Sequence, residues 1–459
     1  MISASSYTPE EPISAIATPL APGALGIVRT SGKNAVELVS KVFSRPKALL
    51  EAAGNTMIYG WIQDLDGNKI DEVMLGVYRA PKSFTGEEMV EVFCHGGTSP
   101  VLAIQKLFLS IGFSEAQRGE FSFRAYINGK SDLTKAEAIK EIIDSKTDIS
   151  RSRATGRLSG SLSAEILEIK NLIIRTIASI EAEIEYPEDE ETIADAFDST
   201  ELLKAKSMLE ELSASWASEK LYQDGARIVL CGKTNAGKSS LFNILLKEER
   251  AIVSDIEGTT RDFIESWISF DGIPARLFDT AGLRETSDFV EKTGVERSYE
   301  LTEEADLILY LIDSSTGLTS EDEAILKELP ANIPLIKVWN KCDKLSEDMA
   351  SNLSQSEDNC TISAKTGLGL QDLVARVKAI LTKQSQTTRA RAGLGSERQK
   401  ISCDEALNAV NHAIQFQEIG LDAVVQDLED ALEALAELTG ETSPDDILEN
   451  IFSRFCVGK

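Results

Sequence analysis

At 459 residues the chain is too long for one ordinary hydrophobic core, and about three domains are expected. It shows neither an apolar span of membrane length nor a basic-then-apolar start, which predicts a cytoplasmic protein that avoids the membrane. A formal net charge of −28 argues against a broad nucleic-acid-binding face, which would draw on Lys and Arg contacts to phosphate. If this chain acts on RNA, a partner must supply basic surface.

Residues 1–130 read as an α+β domain. Strands are expected at Ala24 to Arg29 and Glu88 to Cys94, and a helix over Val101 to Ile111, with turns at Asp66-Gly67 and His95-Gly-Gly97. The pattern then changes to long amphipathic helices over 131–223. Leu162, Ile166, Ile169, Ile173, Ile177, Ile180 and Ile184 recur at spacings of three and four and so share one face, which reads as core packing. Tyr186-Pro187 ends that helix, because proline disfavours helical geometry in the residue before it. The arginines between Arg151 and Arg157 read as solvated helix surface. The six cysteines form no C-x-x-C pair, so they read as reduced thiols, with neither a disulfide framework nor a zinc site.

Residues 224–383 carry the strongest signal. Gly232-Lys-Thr-Asn-Ala-Gly-Lys-Ser239 follows the apolar run Ile228 to Cys231 and precedes the apolar-periodic segment Leu241 to Leu246. Strand, glycine-rich turn and helix is the setting of a phosphate-binding loop. In it, the backbone of Asn235, Ala236, Gly237, Lys238, Ser239 and Ser240 wraps a triphosphate, Lys238 neutralises the outer phosphates, and the Ser239 hydroxyl ligates Mg2+. Downstream come Gly258-Thr259-Thr260-Arg-Asp262, Asp279-Thr280-Ala281-Gly282, Asn340-Lys341-Cys-Asp343 and Ser363-Ala364-Lys365, in the order that a GTP-binding domain requires. Asp343 selects guanine: a carboxylate accepts from the ring N–H and exocyclic amine of that base, and adenine would leave it unpaired. Asn340 braces the site, and the backbone near Ala364 reaches the base oxygen. Alternating strands and helices imply a mainly parallel sheet with ligand loops at the strand ends.

Residues 384–459 begin with a linker-like stretch, Gln384 to Gly395, and resume helical periodicity from Leu421 to Leu438, stopped by Gly440. A last helix opens at Ser443-Pro444, read as a cap followed by a first-turn proline. Helical regions on either side of a self-contained domain imply one α-helical bundle split in sequence, with a Ras-like P-loop GTPase domain inserted. The fold class is therefore multidomain, α/β and α+β.

Several motifs outside the nucleotide signature carry a resemblance. They are Gly26-Ile-Val-Arg29, Ser83-Phe-Thr-Gly-Glu87, His95-Gly-Gly97, Gly119-Glu-Phe-Ser122 with Arg124-Ala125, Asn128-Gly-Lys130, Ala136-Glu137-Ala138 and the terminal Phe455-Cys-Val-Gly-Lys459. Over its whole length the chain resembles the MnmE/TrmE family of tRNA-modifying GTPases. The resemblance implies an N-terminal folate-binding-like domain that forms a homodimer, and a flavoprotein partner of the MnmG/GidA type, carrying FAD, in a heterotetramer or larger complex. Together these proteins install a carboxymethylaminomethyl or aminomethyl group at C5 of the wobble uridine of certain tRNAs, with a tetrahydrofolate derivative (5-formyl or 5,10-methylene) as one-carbon source.

By the same resemblance Arg29, Glu91, Lys130 and Lys459 hold the folate, although each taken singly reads as a surface ion pair. Cys456 reads equally as a chemical group and as a thiol placed for burial. The nucleotide site extends over Ser254, Asp255, Ile256 and Glu257. Leu283 stands where many small GTPases place a water-orienting glutamine, and the family assigns that role to a glutamate matching Glu291. Read without the family, Glu291 is an exposed charge. A potassium ion bound by Asn235, Ser254, Ile256 and Thr259 stands in for an arginine finger, and Thr260 joins Ser239 on Mg2+. The chain departs from related sequences at Thr234, Cys94 and Ser254, none of which removes a required donor or charge. The competing expectation is a non-modifying switch of the ribosome-assembly kind; it leaves the N-terminal motifs and Phe455 to Lys459 unexplained.

Overall fold

The structure, a computed structural model, describes residues 11–185, 199–248, 265–279, 302–346, 358–383, 392–416 and 420–459, with the single positions 349, 353 and 356. The chain divides into two compact units, residues 1–140 with 435–459, and residues 141–434.

The first unit is built on a six-stranded sheet. Its strands are β1 (Ile13–Ile16), β2 (Leu25–Ser31), β3 (Thr56–Gln63), β4 (Lys69–Tyr78), β5 (Met89–His95) and β6 (Ser114–Glu115), in the order β3-β4-β5-β2-β1-β6. Alternation along the strands divides its faces. Val28, Val90 and Val92 pack with Val101, Ile104 and Phe108 of the helix Thr98–Ser110. The residues between them, Arg29 and Glu91, therefore leave the opposite face, and the β2–β5 register sets them directly across from each other. The helix Asp445–Ser453 belongs to this unit: Leu448, Ile451 and Phe452 pack with Phe123, Leu133 and Ala136, and the Phe123 and Phe452 rings meet edge-on at 5.5 Å. The capping expectation at Ser443 is corrected here. Pro444 occupies the cap position without a side-chain cap bond, and the Ser443 hydroxyl is buried with no hydrogen-bond partner.

In the second unit the helices Ser161–Glu185, Ser199–Asp224 and Glu397–Gln415 pack from both sides of the nucleotide domain in sequence, with Ser213 Oγ donating to Asp404 at 2.7 Å. Leu162, Ile166, Ile169 and Ile173 are fully buried, as their spacing requires, whereas Ile184 is exposed. Tyr186-Pro187 lies outside the described residues.

The reading of the Arg151 to Arg157 segment as solvated surface is overturned at one end. Arg151 is exposed, but the Arg157 guanidinium is 1% exposed and pairs with Glu219 at 2.8 Å and with Glu141. Glu219 also accepts from the Gly393 N–H at 2.8 Å and pairs with Arg153 at 2.6 Å. Spacing hid this because both acids come from other helices.

The nucleotide domain holds β7 (Ala226–Gly232), β8 (Glu265–Phe270), β9 (Ile273–Asp279), β10 (Leu307–Asp313), β11 (Leu335–Asn340) and β12 (Asn359–Thr361), in the order β12-β11-β10-β7-β9-β8. All neighbours run parallel except the edge hairpin β8–β9. Such a sheet is buried on both faces, which is why β10, Leu-Ile-Leu-Tyr-Leu-Ile-Asp, is continuously apolar until its last residue. Among the described residues no helix is long and apolar enough to cross a membrane.

Candidate functional site

Three strand ends converge on the phosphate loop. β7 ends at Gly232, and the loop turns through Asn235 (φ 63) and Gly237 (φ 98) into the helix Lys238–Glu248. Lys238 is largely buried, and its Nζ donates to the carbonyls of Gly232 at 2.7 Å and Lys233 at 2.8 Å. Ser239 Oγ lies 3.0 Å from Asp279 Oδ2 at the end of β9. A hydroxyl beside a carboxylate is an oxygen donor set suited to a hard divalent cation, so these two residues fit Mg2+.

The base-side loop is tied to the phosphate loop through Asn340, the last residue of β11 and 2% exposed. Its Nδ2 donates to the Ala236 carbonyl at 2.8 Å, while its Oδ1 accepts from the N–H groups of Lys341 at 2.7 Å and Ala364 at 3.0 Å. A Cβ on Gly237 would stand 2.1 Å from Asn340 Nδ2, so only glycine permits this approach.

Lys341 Nζ donates to the Asn235 carbonyl at 2.9 Å and pairs with Asp313 at 2.6 Å. Burial raises the Asp313 carboxyl, but the bonds from Lys341 and Ser315 outweigh it and bring its pKa to about 2. Ser363 Oγ donates to Asp343 Oδ1 at 2.7 Å, which holds this exposed carboxyl below its ordinary range. Asp343 is thus ionised and open to a base.

Asn235, Ala236, Gly237, Lys238, Ser239, Asp279, Asn340, Lys341, Asp343, Ser363 and Ala364 are therefore linked by these contacts. Lys365 and Ser240 are exposed beside them. Ser254, Asp255, Ile256, Glu257, Gly258, Thr259, Thr260, Thr280, Ala281, Gly282 and Glu291 lie outside the described residues, and with them most of the expected potassium set. Asp313 was missed in the sequence because it carries no motif of its own; the drop from an apolar strand to an acid at its C-terminal end was the available signal.

In the first unit, Arg29 Nη2 pairs with Glu91 Oε1 at 2.7 Å, and Arg29 Nη1 donates to the Gly458 carbonyl at 3.1 Å. The Arg29 guanidinium lies 5.7 Å from the Phe84 ring centroid and 5.6 Å from that of Phe121. Lys459 is half-buried; burial and then the charge of Arg29 push its ammonium below the ordinary lysine value. Its backbone carbonyl accepts from the Phe121 N–H at 3.2 Å. Arg29 and Lys459 beside Glu91 supply cationic donors of the kind that fits an anionic group such as the glutamate tail of a folate. Lys130 Nζ donates to the Pro81 carbonyl at 3.1 Å. Cys456 is exposed, whereas the other five thiols are buried, and all six are free.

A family model described as the MnmE helical domain matches residues 133–456, and one described as the N-terminus of the GTP-binding protein TrmE matches residues 12–130. The tRNA modification GTPase MnmE of Treponema denticola is 50% identical, with 99% of each chain covered. That of Borrelia recurrentis is 40% identical, again over 99% of each. Among solved structures, Era of Aquifex aeolicus bound to GDP and AlF4− is 28% identical, covering 40% of this chain and 66% of that one at a TM-score of 0.27. With a helical-domain model spanning well over half its length and relatives aligned along nearly all of it, the chain belongs to the MnmE family of tRNA modification GTPases.

Proposed function

We propose that this tRNA modification GTPase couples GTP hydrolysis to the addition of a carboxymethylaminomethyl or aminomethyl group at C5 of the wobble uridine, together with an FAD-carrying flavoprotein of the MnmG type. The observation that carries the nucleotide half is the linkage of Lys238, Ser239 and Asp279 to Asn340 and Asp343 in one continuous set of hydrogen-bonded loops. The phosphate loop binds the triphosphate, Lys238, aimed by its bonds to the Gly232 and Lys233 carbonyls, meets the outer phosphates, and Asp343 accepts from guanine. Mg2+ would be held by Ser239 and Thr260, with Asp279 reaching it through water, and would neutralise charge building on the phosphates.

Hydrolysis is proposed to use Glu291, through a bridging water, as the group that orients the attacking water. Potassium on Asn235, Ser254, Ile256 and Thr259 would supply the positive charge otherwise brought by an arginine finger. Arg29, Glu91, Lys130 and Lys459 are proposed to hold the folate derivative, in a homodimer formed by the N-terminal domain. The net charge of −28 supports a partner that brings basic surface to the tRNA.

The deciding experiment is mass spectrometry of nucleosides from total tRNA of cells lacking this gene, complemented with the intact gene or with Lys238→Ala. Loss of the modified wobble uridine, restored by the intact gene alone, is expected; an unchanged profile in cells without a redundant enzyme would refute the modification reading. Separately, hydrolysis much faster in potassium than in sodium is expected, and equal rates would remove the potassium site.

A further inference from the structure

One buried acid in the nucleotide domain has no part in the chemistry above. Asp322 sits in the first turn of the helix Ser320–Glu328, is 3% exposed, and accepts three hydrogen bonds. Tyr310 Oη donates to its Oδ1 at 3.0 Å, while the Thr319 N–H at 3.0 Å and the Thr319 hydroxyl at 2.7 Å both donate to its Oδ2. The Thr319 bonds make a capping box, which by itself requires only that the acid reach back to the cap. Two further facts are not explained by capping. Tyr310 is fully buried on β10, where it lies beside Cys231 at the end of β7, and it turns its hydroxyl to this carboxylate. The side chain of Lys233 also converges here: its Nζ donates to Thr319 Oγ1 and lies 2.8 Å from Glu321 and 3.5 Å from Asp322.

Lys233 is the second residue of the phosphate loop, and its carbonyl is one of the two that hold Lys238 Nζ, at 2.8 Å. A side chain fixed at its tip and a carbonyl fixed at its root leave this peptide little freedom to rotate. We propose that Asp322 is a positioning residue for GTP. Through Thr319 and Lys233 it fixes the first turn of the phosphate loop in the arrangement that presents Lys238 to the outer phosphates. Together with Glu321, which lies closer, it keeps the Lys233 ammonium on the helix start. This rests on the reading that residues 232–240 bind the phosphates of GTP.

The test is a double-mutant cycle on the full chain, with Lys233→Met, Asp322→Asn and the pair, read as Kd for a fluorescent methylanthraniloyl-GDP and accompanied by circular-dichroism melting. Each single change is expected to weaken binding by about tenfold, and the pair by about as much as one of them, because both break the same linkage. Lys233→Arg, which keeps the cation, is expected to stay within about threefold of the parent. Unchanged Kd in the single variants overturns the proposal. So does a pair whose losses multiply to about a hundredfold, since Asp322 would then serve only as a helix cap. Should Asp322→Asn not fold, Tyr310→Phe takes its place in the cycle with the same criteria. Failure of the parent protein to bind the probe would refute the nucleotide reading itself, whereas a parent that binds beside an unaffected Lys233→Met refutes this inference alone.

Discussion

Gly237→Ala tests whether the phosphate and base halves of the site are one mechanical unit. The new methyl would sit at φ 98, outside the conformations that an L side chain adopts readily, and 2.1 Å from Asn340 Nδ2. The backbone strain costs about 1–3 kcal/mol. Displacing Asn340 breaks its 2.8 Å bond to the Ala236 carbonyl and leaves a side chain that is 2% exposed with an unsatisfied amide, for about another 1–3 kcal/mol. A combined loss of about 3 kcal/mol corresponds to roughly a hundredfold weaker nucleotide binding. Because Asn340 Oδ1 also orders the N–H groups of Lys341 and Ala364, selection for guanine over adenine should fall with affinity. The assay is displacement of a fluorescent GDP analogue by GTP and ATP. Gly317→Ala is the control: it has φ 73 and open space around its new methyl, so it carries backbone strain without the clash and should bind nucleotide normally. A Gly237→Ala protein that binds within about threefold of the parent would refute the coupling.

Three further outcomes are expected. Asp343→Asn replaces an acceptor with an amide that donates, so preference should shift from guanine toward a base with a carbonyl at the amine position, measured as the ratio of Kd for GDP and XDP; unchanged preference would place base selection elsewhere. Arg157→Met removes the cation shared by Glu219 and Glu141, acids that are 1% and 13% exposed, while Glu219 keeps Arg153; it should destabilise the helical region by about 3 kcal/mol in urea unfolding, whereas the exposed Arg151→Ala should cost no more than about 0.5 kcal/mol. His95 Nδ1 lies 2.7 Å from Asp71, and that hydrogen bond raises its pKa above 6.5. A raised folded-state value means that the contribution is fully present below the unfolded pKa and is lost as pH rises through the higher folded one. In NMR titration the His95 midpoint should fall in Asp71→Asn; an unmoved midpoint would show that the contact is not populated.

The loops of the nucleotide domain were legible because motifs of fixed residue type follow apolar runs: Gly237, Lys238, Asp279, Asn340 and Asp343 were picked out in this way, and the fold brings them to neighbouring strand ends. The long helices were legible by periodicity, since Leu162 to Ile173 bury one face. What stayed hidden is chemistry assembled from positions far apart. Nothing in Ser-Glu-Asp-Glu singled out Asp322 from its acidic neighbours, and only the fold brings Tyr310 and Lys233 to it. Arg157 likewise reads as one basic residue of a solvated helix until Glu219 and Glu141 arrive from other helices. Arg29 and Glu91 were singled out only by the resemblance, and their pairing was not foreseen, because strand register is a long-range property that neither short segment encodes.

The hydrogen bond from Arg29 to Gly458 spans 429 residues of sequence. At ordinary synthesis rates of about 5–20 residues per second, roughly 20 to 90 s separate the emergence of its two halves from the ribosome. Throughout that interval the N-terminal sheet lacks the helix Asp445–Ser453 and the backbone that caps Phe121, so Phe123 and Leu133 remain without their cover. Residues 141–434 make their own contacts meanwhile. The sheet made at the start of the interval thus gains its last packing partners only at the end of it, when Phe452 reaches Phe123 and the Lys459 carbonyl reaches the Phe121 N–H.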